Sequence, residues 1–172
     1  LHNIESPLWQ LHLVGSGSGK ERDYCLKLAE QLGDRVTLHG AISQASLAKI
    51  MRDAHLLVLP SFYEGLPLVI LEGLASGCRI VATDLPGIHE LIGNIRADFI
   101  GLVETPRLRC IDQPYLEDEA AFEKNLQKVI HEQVDAVYKQ NKMDMSLVQN
   151  TLDSYTWNGV FEKINQLYLT YQ

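Results

Sequence analysis

Two glutamates, Glu64 and Glu72, interrupt an otherwise apolar stretch of this sequence. From Leu68 to Ala75 nearly every position is apolar, so a helix here is expected to be hydrophobic all round and largely buried. Glutamate is rarely buried without a partner, and the nearest basic residue along the chain is Arg79. The two carboxylates therefore predict an external ligand that donates hydrogen bonds to them.

Pro67 is expected to be the first residue of this helix, which would begin at about Leu66 and end at Gly77. The amides at that end lack helical acceptors and lie at the positive end of the helix dipole, so they predict an anion site. Glu72 would lie about 7 Å along the axis, at ~1.5 Å per residue, where a carboxylate can accept two O–H bonds from the ribose of a nucleotide. Glu64 would face a sugar and stabilise positive charge that grows on an anomeric carbon.

Each acid also has a structural alternative. Ser61-x-x-Glu64 matches a capping box, but a helix capped by Ser61 would hold Pro67 inside, at a cost of ~3 kcal/mol. For Glu72 the alternative is a rim position with its carboxylate in water.

Short apolar runs alternate with helix-like stretches, which predicts an α/β fold: a Rossmann-like parallel sheet flanked by helices in three layers, as one domain over residues 1–172. Strands are expected at Leu11 to Val14, Val36 to His39, Leu56 to Leu59, Arg79 to Ala82 and Phe99 to Val103. Besides the Glu72 helix, helices are expected at Lys20 to Leu32, at Gln44 to Ala54 behind the N-cap Ser43, and within 120–172, where apolar stripes run from Phe122 to Ile130 and from Trp157 to Tyr171. Residues 104–118 are expected to be an irregular excursion over the surface.

Unusual residues follow the carboxyl ends of four predicted strands, the edge at which open α/β sheets bind ligands. They are Gly15, Gly17 and Gly19; His39 and Gly40; Ser61 to Gly65; and Asp84 and Gly87. The first turn satisfies neither the phosphate-loop nor the dinucleotide glycine pattern, so it predicts only a flexible turn whose amides can approach an anion. His39, Asp84, His89 and Glu90 are equally compatible with ordinary turn and surface roles. His2, His12, His55 and His131 show no metal-ligand spacing.

The net charge of −7, with scattered Lys and Arg, argues against nucleic acid as the partner. Three widely spaced cysteines suit a reducing cytoplasm. No apolar run reaches the ~18 residues of a membrane span, and the start is not a signal peptide. Because residue 1 is leucine, the chain is expected to be a piece of a longer protein.

The run from Pro60 to Gly77, with Glu64 and Glu72 as an E-x7-E motif, closely resembles the signature of retaining GT-B glycosyltransferases of the glycosyl transferases group 1 (family 4) type. The resemblance extends from about Leu11 to Val103. It includes Val14-Gly15-Ser16-Gly17, the strand and turn from Val36 to Gly40, and Pro86-Gly87-Ile88-His89-Glu90. Tyr155-Thr156-Trp157 also resembles the start of the last helix of such enzymes.

The resemblance implies the C-terminal, donor-binding half of a two-domain hexosyltransferase of polysaccharide or glycolipid synthesis. Its substrate would be a nucleotide-diphosphate sugar such as a UDP-, GDP- or ADP-sugar, with no cofactor and no metal. Glu64 would be the catalytic contact to the donor sugar, and Glu72 would hold the ribose. Gly15 and Gly17 would meet the diphosphate, and His39 and Gly40 would border the base. The donor-binding set is completed by Gly65, Leu66, Pro67 and Leu68.

The chain departs from that family in two respects. The family's basic pair for the diphosphate would precede Leu1, and position 67 is proline where many relatives have glycine. Without the acceptor domain, the fragment is expected to be inactive and to bind nucleotide weakly. The protein is expected in the cytoplasm, with any contact to the inner face of the membrane made by the missing half. A sugar-nucleotide epimerase of the same architecture and a non-catalytic partner-binding module remain the alternatives.

Overall fold

The computed structural model describes residues 9–92, 95, 97–139 and 145–170. The chain divides into two compact units, Leu1–Asp53 and Ala54–Gln172. In both units, helices flank or connect parallel strands. The predicted α/β class is therefore confirmed.

The first unit contains two parallel strands and two helices. They are β1 (Leu11–Val14), α1 (Gly19–Gln31), a short 3-10 helix (Gly33–Arg35), β2 (Val36–Gly40) and α2 (Gln44–Asp53). In the pairing of β1 with β2, Leu11 lies opposite Val36 and His12 opposite Thr37. Ser43 begins α2 as predicted, because its Oγ accepts the Ser46 amide at 3.2 Å.

The second unit is built on a three-stranded parallel sheet. Its strands are β3 (Leu56–Leu59), β4 (Arg79–Thr83) and β5 (Ile100–Val103), in the order β3-β4-β5. All five residues of β4 are buried, which explains why the central strand is a nearly continuous apolar run. Between the strands lie α3 (Leu68–Ala75), α4 (Pro86–Ile92) and a 3-10 helix (Ala97–Phe99).

The remainder of the second unit is a small hairpin and three helices. These are β6 (Leu108–Cys110), β7 (Gln113–Pro114), α5 (Leu116–Lys139), α6 (Ser146–Ser154) and α7 (Trp157–Thr170). Arg107 precedes the hairpin and donates to Asp118 at 2.7 Å, which lowers the pKa of that carboxyl. The ion pair connects the hairpin to the first turn of α5.

Glycines set the distance at which helices pack on the sheet of the second unit. A Cβ on Gly73 of α3 would lie 2.7 Å from Leu57 Cδ2, and a Cβ on Gly101 of β5 would lie 2.3 Å from Val129 Cγ1 of α5. Neither site has room for a methyl group.

At the start of β4, the buried Arg79 donates to the Asp98 carbonyl at 2.6 Å and to Gln133 Oε1 at 3.0 Å. The hydrogen bond from Arg79 to Gln133 thus connects the sheet to α5.

The strands agree with the predicted ones to within one residue, but two other local expectations are wrong. Pro67 is the N-cap of α3, and the helix begins at Leu68. The segment 104–118 is not wholly irregular, because it contains β6 and β7 and the start of α5. Its turn holds Asp112 at a φ of +63°, a left-handed conformation that aspartate tolerates better than most residues.

The apolar stripe of α7 does not contribute to the core of the second unit. No residue of α7 is buried, and Trp157 is 78% exposed. Tyr171, the last residue of the predicted stripe, lies outside the described residues. Among the helices that the structure describes, none combines the length and apolarity needed to cross a membrane.

Gly101→Ala is expected to destabilise the second unit by about 1–3 kcal/mol, because the new methyl group collides with Val129 and must displace α5. The free energy of unfolding, measured by urea denaturation, checks this. Gly65→Ala is the matched control, since no atom lies within 4 Å of its added Cβ and Gly65 is not among the positive-φ glycines. Equal stability of the two variants would show that α5 does not pack this closely.

Cys78 is expected to resist thiol reagents while Cys25 and Cys110 react. Cys78 is fully buried, and burial raises the pKa of its thiol to about 11, whereas the other two are exposed. Its contribution to stability is complete below the ordinary pKa of 9.0 and is lost as pH rises toward about 11, because ionisation then favours the unfolded chain. Mass spectrometry after labelling at pH 8 should find two modified cysteines, and a third only after unfolding. Equal labelling of all three in the native chain would contradict the buried position.

Candidate functional site

The loop from Ser61 to Pro67 connects β3 to α3 and carries Glu64. Its residues are not helical, so Ser61 and Glu64 do not form a capping box. Phe62 connects the loop to α5, because its ring packs edge-on against that of Phe122 with 5.0 Å between the ring centroids. The loop is therefore attached to an element far along the chain.

The start of α4 holds the same loop from another side. A Cβ on Gly87 would lie 2.0 Å from the Gly65 carbonyl oxygen and 3.6 Å from that of Glu64. Only glycine permits this backbone contact without displacement. Gly87 was predicted to lie at the ligand edge, but its contact with the Gly65 carbonyl could not be predicted from the sequence.

The two carboxylates differ in exposure. Glu72 occupies the water-exposed position that the sequence offered only as an alternative. Glu64 is half-buried, whereas Glu72 is exposed on the face of α3 that also carries Leu68 and Ala75. The buried face of α3 consists of Ile70, Leu71, Gly73 and Leu74. The helix thus has one buried and one exposed face although its sequence is almost uniformly apolar. Because Glu72 lies on the exposed face, its carboxylate needs no partner within the protein. Neither carboxylate makes a hydrogen bond or ion pair with any part of the chain that the structure describes.

The tip of α3 presents backbone amides beside these acids. Pro67, with φ −75° and ψ 85°, turns the chain into the helix, and its carbonyl accepts the Ile70 amide at 2.9 Å. The Leu68 and Val69 amides come before that first bond, at the positive end of the helix dipole. Leu66 and Leu68 are 46% and 56% exposed. The tip can therefore bind an anion, and its apolar side chains can cover part of the ligand.

The Asp84 Oδ1 and His89 Nε2 atoms form a hydrogen bond at the carboxyl end of β4. Asp84 is fixed by its backbone, since its amide donates to the Val103 carbonyl and its own carbonyl accepts from Thr105 Oγ1, both at 2.7 Å. Both side chains are substantially exposed. Asp84 and His89, two residues whose roles the sequence leaves open, thus contact each other across the first turn of α4, which contains Gly87.

The glycine turn and the His39 turn meet within the first unit. The Gly15 amide donates to the Gly40 carbonyl at 2.8 Å, and both glycines have positive φ, +132° and +64°. Gly17 lies in the same turn with open space around it, the nearest atom to an added Cβ being Arg22 Cβ at 3.8 Å. The structure therefore brings Gly15, Gly17 and Gly40 together with His39, while Glu64, Gly65, Leu66, Pro67, Leu68 and Glu72 gather in the second unit.

A family model described as "Glycosyl transferases group 1" matches residues 1–107, more than half of the 172 residues. Among curated proteins, the chain is 34% identical over 119 residues to the alpha-D-kanosaminyltransferase of Streptomyces kanamyceticus, covering 63% of the chain and 30% of that protein. It is 40% identical over 89 residues to the D-inositol 3-phosphate glycosyltransferase of Segniliparus rotundus, covering 49% of the chain and 20% of that protein. The chain therefore spans less than a third of these relatives.

Two solved structures share the fold of this chain. The sucrose-phosphate synthase of Thermosynechococcus elongatus superposes with a TM-score of 0.55 and 27% identity, covering 95% of this chain and 39% of that one. The pneumococcal O-GlcNAc transferase GtfA, solved in complex with UDP and GlcNAc, superposes with a TM-score of 0.59 at 16% identity, covering 92% of this chain and 28% of that one. The second likeness supports the fold alone.

Gly87→Ala is expected to displace the backbone of Glu64 and Gly65, because the methyl group would lie 2.0 Å from the Gly65 carbonyl oxygen. Amide chemical shifts and hydrogen exchange of residues 63–67 measure the displacement. Glu90→Ala, an exposed change on the same helix, should leave those signals in place. Unchanged loop signals in Gly87→Ala would contradict the close contact.

Proposed function

Because the chain belongs to the glycosyl transferases group 1 family, we propose that it is the donor-binding part of an enzyme that transfers a sugar from a nucleotide-diphosphate sugar to an acceptor with retention. The observation that carries the proposal is the arrangement around the tip of α3. A carboxylate lies before an amide-bearing helix start, and a second carboxylate lies one turn into the helix. A pyrophosphate at the tip would have one sugar toward each acid.

Glu72 is assigned to the ribose. It is exposed and stands on the same face of α3 as Leu68, whose amide is at the helix tip. An ionised carboxylate can accept both hydroxyls of a vicinal diol, and each such bond contributes roughly 1.5–3 kcal/mol. The exposed position supports this role because a soluble ligand can reach it without any rearrangement of the helix.

Glu64 is assigned to the donor sugar. Its loop is fixed by Phe62 and by the contact with Gly87, so its carboxylate is positioned before the substrate arrives. As the bond to the leaving diphosphate breaks, positive charge grows on the anomeric carbon. A preorganised, half-buried carboxylate stabilises that charge more in the transition state than in the ground state.

In the second unit, the diphosphate is assigned to Gly65, Leu66, Pro67 and Leu68. In the first unit, Gly15 and Gly17 are assigned to donor binding. His39 and Gly40 are assigned to the border of the base. The hydrogen bond between Gly15 and Gly40 supports a common site for these two turns. Pro67 supplies no amide, so its role is to direct the chain into the helix.

The finer assignments belong to the same proposal. The enzyme would be a hexosyltransferase of polysaccharide or glycolipid synthesis that needs no metal and no cofactor for transfer. It would work in the cytoplasm, with any contact to the inner membrane face made outside this chain. The acceptor would be bound by the remainder of a longer protein, since the matched segments cover only 30% and 20% of the two relatives.

In the complete enzyme, Glu64→Gln is expected to lower kcat on the order of 100-fold with little change in the donor KM, because the charge is needed only in the transition state. Glu72→Gln should instead raise the donor KM roughly tenfold, because it weakens ground-state contacts to the ribose. Steady-state kinetics with UDP-, GDP- and ADP-sugars measure both.

Glu162→Gln, an exposed change on α7, is the control and should leave both constants unaltered. Normal turnover in Glu64→Gln would remove its assigned role. A donor KM in Glu72→Gln equal to that of the control would remove the ribose contact.

A further inference from the structure

A histidine that is oriented by a carboxylate lies at the carboxyl edge of the sheet in the second unit. His89 Nε2 of α4 is hydrogen-bonded to Asp84 Oδ1, and Asp84 directly follows β4. An ionised carboxylate can only accept, so Nε2 carries the proton of this bond. The other ring nitrogen, Nδ1, then holds a lone pair when the imidazole is neutral and a second proton when it is charged.

Backbone hydrogen bonds fix both partners of this contact. The Asp84 amide donates to the Val103 carbonyl and the Asp84 carbonyl accepts from Thr105 Oγ1, both at 2.7 Å. The His89 amide donates to the Leu85 carbonyl at 3.3 Å within the first turn of α4. The imidazole is therefore oriented before any ligand arrives, which lowers the entropy lost on binding.

The same turn of α4 contacts the loop that carries Glu64. A Cβ on Gly87 would lie 2.0 Å from the Gly65 carbonyl oxygen and 3.6 Å from that of Glu64. The backbone that positions His89 thus touches the backbone that positions Glu64, within one unit. Ligands of open α/β sheets bind at this edge, beyond the carboxyl ends of the strands.

The charges around His89 favour a neutral ligand over an anion. Its side chain is 59% exposed, so a ligand can reach it. Its hydrogen-bond partner Asp84 is an acid, Glu90 is the next residue of α4, and Glu104 follows the strand residue whose carbonyl Asp84 contacts. Both glutamates are exposed. These carboxylates repel a phosphate group. A hydroxyl group can donate to the neutral imidazole or accept from the charged one, so it fits either protonation state.

We propose that His89 Nδ1 binds a hydroxyl group of a sugar substrate beside Glu64, with Asp84 as the positioning residue for the imidazole. The inference rests on the proposed function, because the transfer reaction is what brings sugars to this edge. It adds a contact on α4 to the two carboxylates of the motif. The sugar belongs to the donor or to the acceptor, since both offer the same hydroxyl chemistry.

The test is His89→Gln in the complete enzyme. Glutamine keeps a side-chain N–H that can take the place of Nε2 toward Asp84, but it has no polar group at the position of Nδ1. The expected result is a KM that rises roughly three- to tenfold for the sugar substrate that loses its contact. A rise in the donor KM identifies the donor sugar, and a rise in the acceptor KM identifies the acceptor.

His55→Gln is the matched control, because His55 is an exposed histidine of the same unit that precedes β3 at the opposite edge of the sheet. It should keep both parental KM values. Parental KM values for both substrates in His89→Gln would overturn the proposal. Circular dichroism checks that each variant is folded.

His89→Asn separates ligand binding from a merely structural role. Asparagine retains a polar atom near the position of Nδ1 but is too short to replace Nε2 at Asp84. If His89 binds a sugar, His89→Asn should be less impaired in KM than His89→Gln. The reverse order would show that only the contact with Asp84 matters, and it would overturn the proposal.

Nitrogen NMR of the isotope-labelled 172-residue chain tests the orientation of the imidazole without turnover. We expect a proton on His89 Nε2 in the parent and a mixture of both tautomers in Asp84→Ala, where the oriented contact is lost. A parent chain in which His89 Nε2 carries no proton would contradict the orientation on which the proposal depends.

Failure of this inference can be told from failure of the proposed function. If the proposed function is wrong, the parent enzyme turns over no nucleotide sugar, and the role of His89 is lost with it. If this inference alone is wrong, the parent is active and Glu64→Gln lowers kcat, while His89→Gln keeps the parental KM values.

Discussion

The second unit depends on how closely its backbone layers approach one another, and glycine determines that distance at three places. Gly73 brings α3 onto β3 and β4, Gly101 brings α5 onto β5, and Gly87 brings α4 onto the loop after β3. Because the interior is packed at high density, an added methyl group at any of these contacts forces the neighbouring atoms to shift. Gly73 thus permits α3, the helix that carries Glu72, to lie close to the sheet.

The two acids of the motif lie in different physical environments. Glu72 is exposed, so its ionised carboxylate keeps its hydration and the fold incurs no desolvation cost. Glu64 is half-buried in a loop held by Phe62 and by Gly87, where water screens its charge less. Such a difference suits separate roles, since an exposed acid can exchange water for hydroxyls while a partly buried one acts on developing charge.

Much of the fold could be predicted from sequence, because the parallel strands of the second unit are short apolar runs bounded by turn residues, as β3 and β4 show. The hairpin of β6 and β7 could not, since Leu108 pairs with Pro114 and proline argues against a strand. The exposure of Glu72 could be given only as an alternative, because an apolar sequence shows no buried face when leucine also occupies the exposed positions. The hydrogen bond between His12 Nδ1 and His39 Nε2, 2.9 Å long, could not be predicted either, because it depends on the pairing of β1 with β2, which no local pattern contains.

The candidate site shows why local patterns identify its residues but not their arrangement. The motif from Glu64 to Glu72 is contiguous, yet the loop that carries Glu64 is held by Phe122 of α5 and by Gly87 of α4, which are remote in sequence. Holding the loop in advance reduces the entropy lost when a ligand binds. The Asp84–His89 pair extends this support, because it steadies the turn of α4 from which Gly87 contacts the loop. The position of Glu64 thus depends on every element that contacts its loop. Substitutions in α4 or α5 should therefore displace the Glu64 side chain although they do not contact it.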